Sequence, residues 1–314
     1  MNRTVLRRIV RGAVLVFSIF CFVWVLRPIF THLGDLRSST DGPALLGGVA
    51  LASLLYTLLL VLLALAWWWV VGIYGQAATF RTGYVVFARS QIGKYLPGNV
   101  FHFAGRQVLG REAGWTHPAL VASVFLEMGS LLFAAVLLGA GGLLTSRLSE
   151  SLMGLLPWIV LCGAGCLLVW PVVDGVLRRL PKTASLMSDL PRLGVRASLK
   201  ILGPSVLTHG LFFAGTGSLL VMLMASAWGT PPADAWNLLW IFPVAWAAGT
   251  IAVGAPAGVG VREAVLMLQL EPLLGPARAA ALSVALRLVT TAGDALTAAV
   301  GWWLGRASRD PENA

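Results

Sequence analysis

Two stretches of this chain, each apolar and long enough to lie in a membrane, are broken by a Pro/Gly turn and followed by basic residues. One runs Ile92-Gly-Lys-Tyr-Leu-Pro-Gly-Asn-Val100 and leads to Arg106; the other runs Gly254-Ala-Pro-Ala-Gly-Val-Gly-Val-Arg262-Glu263. Lipid cannot hydrogen-bond the backbone groups that a broken helix frees, so such breaks survive only where protein or a water-filled cavity surrounds them. Two of them in matching positions predict a binding site near the bilayer midplane.

The rest of the sequence has the composition of a membrane protein. Hydrophobic residues make up 58% and charged residues only 11% of 314 positions, against about 25% charged in soluble domains. Six apolar runs are near or above the ~18 to 20 residues that a bilayer core requires: Ile9 to Val25, Leu45 to Gly72, Pro118 to Leu143, Leu152 to Val173, Ile201 to Ala227 and Ala277 to Leu304. No soluble domain of useful size fits between them. The fold class is an all-α integral membrane protein, a single polytopic domain over 1–314.

Lys and Arg in short loops resist translocation and set orientation. Arg3, Arg7, Arg8 and Arg11 place the N-terminus in the cytoplasm. So do Arg178, Arg179, Lys182, Arg192, Arg196 and Lys200 for the loop from Asp174 to Lys200. The first apolar run ends at Val25-Leu26-Arg27-Pro28 without a small-residue cleavage site, which reads as an uncleaved signal-anchor. The connections at Thr31 to Pro43, Ser146 to Ser151 and Trp228 to Asp234 lack a basic excess and belong outside.

If both interrupted segments crossed the bilayer, Arg81, Arg106 and Arg111 would be divided between its two sides. As re-entrant hairpins they give an inverted-topology repeat, a common transporter organisation. The expected order is an N-terminal helix and loop (1–44), then a first repeat (45–143) with a hairpin at 81–110. An extra helix and basic cytoplasmic loop (144–200) follow, then a second repeat (201–304) with a hairpin at 235–274. A cytoplasmic tail (305–314) ends the chain. Against this stands the stretch Ala235 to Gly254, long enough to cross by itself.

A charge at the centre of a membrane helix costs ~2.5 to 3.5 kcal/mol on insertion scales, so each such residue calls for a role. After the turn residues Pro97 and Gly98, Asn99 stands where it caps the outgoing half-helix. His102 and Arg106 follow at i+3 and i+7, on the same face. With Lys94 they form an anion site at a helix N-terminus; the alternative is that Lys94 and Arg106 reach to cytoplasmic headgroups. In the second segment Pro256, Gly258 and Gly260 make the turn, and Arg262 offers a bidentate guanidinium that Lys cannot match. Glu263 pairs with Arg287, or Arg262 with Asp294; Arg287 and Asp294 lie seven residues apart on one face of the last span. A purely structural salt bridge competes with the anion-binding reading. Glu127, flanked by Ser123 and Ser130, and His209 complete a charge network or proton relay, with His209 as a hydrogen-bonded packing residue the alternative.

Several chemistries lack their signatures. There is no His-Glu-x-x-His, Gly-x-Ser-x-Gly or P-loop sequence, so metalloprotease, serine hydrolase and ATPase readings have no support. Cys21, Cys162 and Cys166 lie in apolar spans and read as packing residues. No cofactor, metal or catalytic residue is expected. The net charge of +10 follows cytoplasmic loops and hairpins, which suits anionic lipid headgroups better than nucleic acid.

Taken together, Lys94-Tyr-Leu-Pro-Gly-Asn99, Gly105-Arg106 and Pro256-Ala-Gly-Val-Gly-Val-Arg-Glu263 resemble the transmembrane-region family of lysylphosphatidylglycerol synthases, over nearly the whole chain. That family includes free-standing proteins and fusions to glycosyltransferases. The resemblance implies movement of a modified or glycosylated lipid between leaflets, often beside the enzyme that makes it. The chain departs from the family at Glu127-Met-Gly-Ser130, where the family has Glu-Arg and a nearby Asp, and at Ala257, where it has Gly. The synthase's soluble catalytic domain has no counterpart, so synthesis of aminoacyl lipids is not expected. The leading expectation is a translocase for an anionic phospholipid or polyprenyl-phosphate glycolipid. It would sit in the cell membrane with both termini cytoplasmic, its headgroup held by Lys94, Asn99, His102, Arg106 and Arg262. The alternatives are a non-transporting subunit that positions a glycosyltransferase or lipid-synthesising enzyme, and a lipid transferase with Glu127 or Glu263 as base.

Overall fold

A computed structural model of the chain describes residues 40–74, 79–96, 100–145, 195–229, 238–252 and 255–306, with a few isolated positions elsewhere. The expected spans Ile9 to Val25 and Leu152 to Val173 fall outside the described residues but for isolated positions, as do Pro97, Gly98, Asn99, Gly254 and the tail beyond Arg306. Every regular element described is helical. In order they are α1 (Gly42–Ile73), α2 (Phe80–Ser90), a 3-10 turn at Gln91–Tyr95, α3 (Phe101–Glu112), α4 (His117–Thr145) and α5 (Val195–Trp228). Then come α6 (Leu238–Ile251), a 3-10 turn at Pro256–Gly258, α7 (Val261–Leu274) and α8 (Pro276–Arg306).

Four helical stretches, Gly42–Ile73, His117–Gly142, Gly203–Trp228 and Pro276–Arg306, are long and apolar enough to cross a bilayer, and they mark the chain as membrane-embedded. They coincide with four of the six expected spans. Local sequence sets their ends. Asp41 Oδ1 accepts the Ala44 amide at 3.0 Å and so caps α1. Gly275 closes α7 with a positive φ of 75° and donates its amide to Glu271 at 2.8 Å. Pro276, with no amide to satisfy, starts α8.

Each expected interruption is an antiparallel helix pair. In the first, a Cβ on Gly105 would lie 3.3 Å from Ser90 Cβ, and one on Gly93 would lie 2.7 Å from the His102 nitrogen, so residue numbers facing each other sum to 195. In the second, Gln269 donates to the Ile241 carbonyl at 3.4 Å, and a Cβ on Gly249 would meet Arg262 Cβ at 3.3 Å. Within the stretch Ala235 to Gly254, which looked long enough to cross, the described helix is α6, Leu238–Ile251.

The chain gathers into two compact units. The first contains Met1–Leu58, Ile92–His102 and Phe213–Leu296. Here α1 begins beside the end of α5, with the Asp41 amide donating to the Ala227 carbonyl at 3.0 Å and Trp228 Nε1 to Thr40 Oγ1 at 3.0 Å. Helices α5 and α6 approach so closely at Gly217 that a Cβ there would lie 2.5 Å from Leu239 Cα. Phe213 stacks edge-on to Trp246, with centroids 5.3 Å apart.

The second unit contains Leu59–Gln91, Phe103–Phe212 and Thr297–Ala314. Its core is built from Ala64, Trp67, Val71, Phe87, Trp115 and Leu120. Helices α2 and α8 touch where a Cβ on Gly301 would come within 2.7 Å of Ala88 Cβ. Apolar area gives helices in lipid little reason to associate, so close approach at small residues supplies the packing energy.

Gly217→Val should therefore lower stability by about 1–3 kcal/mol through overpacking. Thermal unfolding of the detergent-purified protein tests this, with Gly47→Ala, a site open to added atoms, as the control expected to unfold like wild type.

Candidate functional site

In the first unit, α8 carries two charges of opposite sign, seven residues and hence about 10.5 Å apart along one face. Asp294 is 1% exposed and lies 2.6 Å from Lys94 Nζ. It also accepts the Tyr95 hydroxyl at 2.6 Å. The tip of the α2–α3 pair is thus anchored on Asp294. Arg287 anchors the other tip: its Nη1 donates to the Ala257 carbonyl at 3.1 Å and lies 3.4 Å from Glu263 Oε1. Its guanidinium also stands 5.7 Å from the centre of the Tyr95 ring, so Arg287 touches both tips.

The second tip is folded tightly enough to need left-handed backbone at three positions, Ala257 (φ 50°), Gly258 (φ 70°) and Gly260 (φ 84°). At Ala257 this costs about 1–2 kcal/mol, which glycine would not incur. The strained peptide turns its carbonyl to Arg287. A Cβ on Gly258 would come within 3.0 Å of Gly249 Cα, so that glycine is also required sterically. Glu263, 1% exposed, reaches back to accept the Gly260 amide at 2.6 Å. That contact fixes the start of α7, the carboxylate half of a capping box.

Arg262, next in the chain, is arranged differently. Its Nε is buried with no hydrogen-bond partner among the described residues, and its guanidinium lies 5.8 Å from the Phe242 ring centre. The cluster of Lys94, Arg262 and Arg287 against Glu263 and Asp294 therefore has three cations for two carboxylates, and Arg262 is the cation left over.

The second unit holds its own buried polar group. Arg106, 3% exposed, forms an ion pair with Glu127 through Nη1 and Oε2. The rings of Phe87 (4.5 Å), Trp67 (4.9 Å) and Phe103 (5.8 Å) surround its guanidinium. On α4 each polar residue has a separate partner. Ser123 accepts Trp67 Nε1 at 3.1 Å, Glu127 takes Arg106, and Ser130 shares a 3.0 Å hydrogen bond with His209 Nδ1. Ser130 also donates to the Glu127 carbonyl at 3.0 Å. Its single proton being used there, Nδ1 of His209 is the donor and Nε2 carries the lone pair.

These contacts sort the residues expected from the sequence. Of the two pairings open for the second hairpin, Glu263 with Arg287 forms, while Asp294 goes to Lys94 rather than to Arg262. Arg106, expected to hold an anion together with Lys94 and His102, is paired with Glu127 and belongs to the second unit; Arg262 and Lys94 belong to the first. Glu127 and His209 are joined through Ser130. His102, in the first unit, packs its backbone against Gly93. Sequence reasoning missed Tyr95, Trp67 and Phe87. Tyr95 stands beside Lys94 inside the broken segment, a signal that was available, whereas nothing local marks Trp67 or Phe87 as partners of a distant arginine.

No family model, curated protein or solved structure matches this chain. The functional reading therefore stands on the geometry.

For the second unit, Arg106→Met or Glu127→Met alone strands a buried charge and should cost about 3–5 kcal/mol, while the double variant should recover most of that loss. A thermal-unfolding cycle of the four proteins in detergent measures the coupling; additive losses would mean that the pair does not act as a unit.

Proposed function

We propose that the chain is a lipid translocase of the cell membrane that carries an anionic phospholipid or polyprenyl-phosphate glycolipid, with Arg262 taking the phosphate. The observation behind this reading is the guanidinium of Arg262, half-buried, with its Nε unpartnered and with no carboxylate of its own among the described residues, beside the Lys94–Asp294 and Arg287–Glu263 ion pairs. A buried excess charge is costly, and an arriving phosphate neutralises it with two parallel hydrogen bonds. Arg262 is the second residue of α7, where the positive end of the helix also favours an anion.

In this reading both helix pairs are re-entrant, entering from opposite faces beside six spans. Arg287 lies 11 residues from the start of α8 and Asp294 lies 12 from its end, about 16 and 18 Å of helix, near half the ~30 Å core from either side. Contacts of the two tips at these residues support a meeting point at mid-depth. The acyl or prenyl chains remain in lipid while the headgroup passes the tips. Lys94 and Arg287 are the next cations available to it, and exchange of their carboxylate partners for phosphate loosens each tip in turn. Arg81, Arg89, Arg111 and Arg306 lie on the cytoplasmic side, and Trp302 and Trp303, 54% and 69% exposed at the end of α8, sit at the headgroup level there. The motif resemblance points to the same class of substrate.

Two measurements test this. In liposomes, the protein should speed exchange of labelled phosphatidylglycerol or an undecaprenyl-phosphate glycolipid between leaflets. Arg262→Gln should slow that exchange at least tenfold with unfolding temperature unchanged; a rate equal to that of protein-free vesicles for both lipids would refute the proposal. For topology, single cysteines at Thr79, Glu112 and Leu273 are placed in a background lacking Cys21, Cys162 and Cys166. The first two should react with a membrane-impermeant thiol reagent from the same side and the third from the other. Reaction of Thr79 and Glu112 from opposite sides would mean that the first helix pair crosses the bilayer.

A further inference from the structure

Away from the charged cluster on α8, the second unit contains a cavity of about 380 Å³ between α2, α3 and the end of α8. Two arginines stand on its α2 wall, one carboxylate on its α3 wall, and Gly305 of α8 borders it. Arg81 Nη2 donates to the Leu304 carbonyl at 3.1 Å, and Arg89 Nε to the Gly301 carbonyl at 3.1 Å. Arg89 also stacks on Trp302, 4.9 Å from the ring centre. These contacts cap the last turn of α8, a favourable use of cations at a helix C-terminus. They use one edge of each guanidinium, hold the planes in place, and leave Nη1 of both without a protein partner among the described residues. Glu112, facing the same space, makes no ion pair with either arginine or with any other cation among the described residues.

Two positive groups and one negative group thus share a cavity without meeting. Capping of α8 explains the arginines but not the carboxylate across from them. We infer that the cavity is a binding site for an aminophospholipid headgroup, with Arg81 and Arg89 taking the phosphate diester and Glu112 the ammonium. Val85, Val86, Leu109 and Ala113 form an apolar part of the remaining wall that suits the glycerol and first methylenes, and Thr79 and Thr82 add hydroxyls to it. The volume is at the small end of the ~300–1,000 Å³ usual for ligand pockets, which fits a compact zwitterionic headgroup and leaves no room for a saccharide phosphate. The site is separate in residues and ligand from the one proposed at Arg262, and neither proposal requires the other.

The test is native mass spectrometry of the delipidated full chain carrying Arg262→Gln, which removes the other phosphate site proposed above, titrated with short-chain phosphatidylethanolamine, the matching phosphatidylglycerol and free phosphoethanolamine. Phosphatidylethanolamine should bind about tenfold more tightly than phosphatidylglycerol, the factor carried by one charge-assisted hydrogen bond. Glu112→Gln, at an exposed position, should erase that preference without weakening phosphatidylglycerol. Arg81→Gln in the same background, checked for unchanged unfolding temperature, should weaken both lipids by about tenfold. Equal binding of the two lipids in the Arg262→Gln background, or a preference that survives Glu112→Gln there, would overturn the assignment. Binding of phosphoethanolamine as tight as that of the lipid would overturn the lipid as its source.

Discussion

The pairing of buried charges on α8 with the tips of two helix pairs governs the first unit. A carboxylate or guanidinium on an apolar helix has no water to turn to, so the partner it finds determines which segments must approach it. Asp294 draws in Lys94 and Tyr95; Arg287 draws in Ala257 and Glu263. The breaks in α2–α3 and α6–α7 free backbone groups that lipid would leave unsatisfied, and the same contacts bring protein around them. The Ala257 carbonyl is such a group, and it is Arg287 that satisfies it.

The same requirement, applied to the two buried clusters, separates cations with a carboxylate partner from Arg262, which has none among the described residues. Arg106 and Glu127 neutralise each other inside an aromatic enclosure, and Ser130 and His209 extend that network. Such a pair contributes specificity to the fold and has no charge left for an incoming anion. Arg262 lacks that compensation, although Glu263 follows it directly in the chain. The helix turns Glu263 away, toward the Gly260 amide and Arg287, and it is already committed there. Capping of α7 and anchoring of the tip thereby remove the nearest carboxylate from the guanidinium.

Much of this was legible in the sequence. The four described spans follow from runs of apolar residues longer than a bilayer core, and the two breaks follow from Pro and Gly within such runs. Less legible was the end of α6. Ala235 to Gly254 reads as one apolar run, and only the fold shows its helix stopping at Ile251, ahead of the turn at Pro256–Gly258. The role of Arg106 was misjudged for a related reason. Its position after Asn99 and His102 suggested an anion site, whereas its partner Glu127 is 21 residues away on another helix, a distance over which no local periodicity speaks.

By itself, the sequence determined that this chain is helical and membrane-embedded, where its long helices lie, and that charges stand at two broken segments. Those are consequences of local composition and backbone chemistry, which hold whatever the chain packs against. Which charge meets which was decided only by tertiary structure. Lys94 had a choice between headgroups and Asp294, Glu263 between Arg287 and solvent, and Arg106 between a ligand and Glu127. Each choice depends on distances between segments tens to hundreds of residues apart. With each carboxylate of the two clusters already assigned, Arg262 was left without one among the described residues.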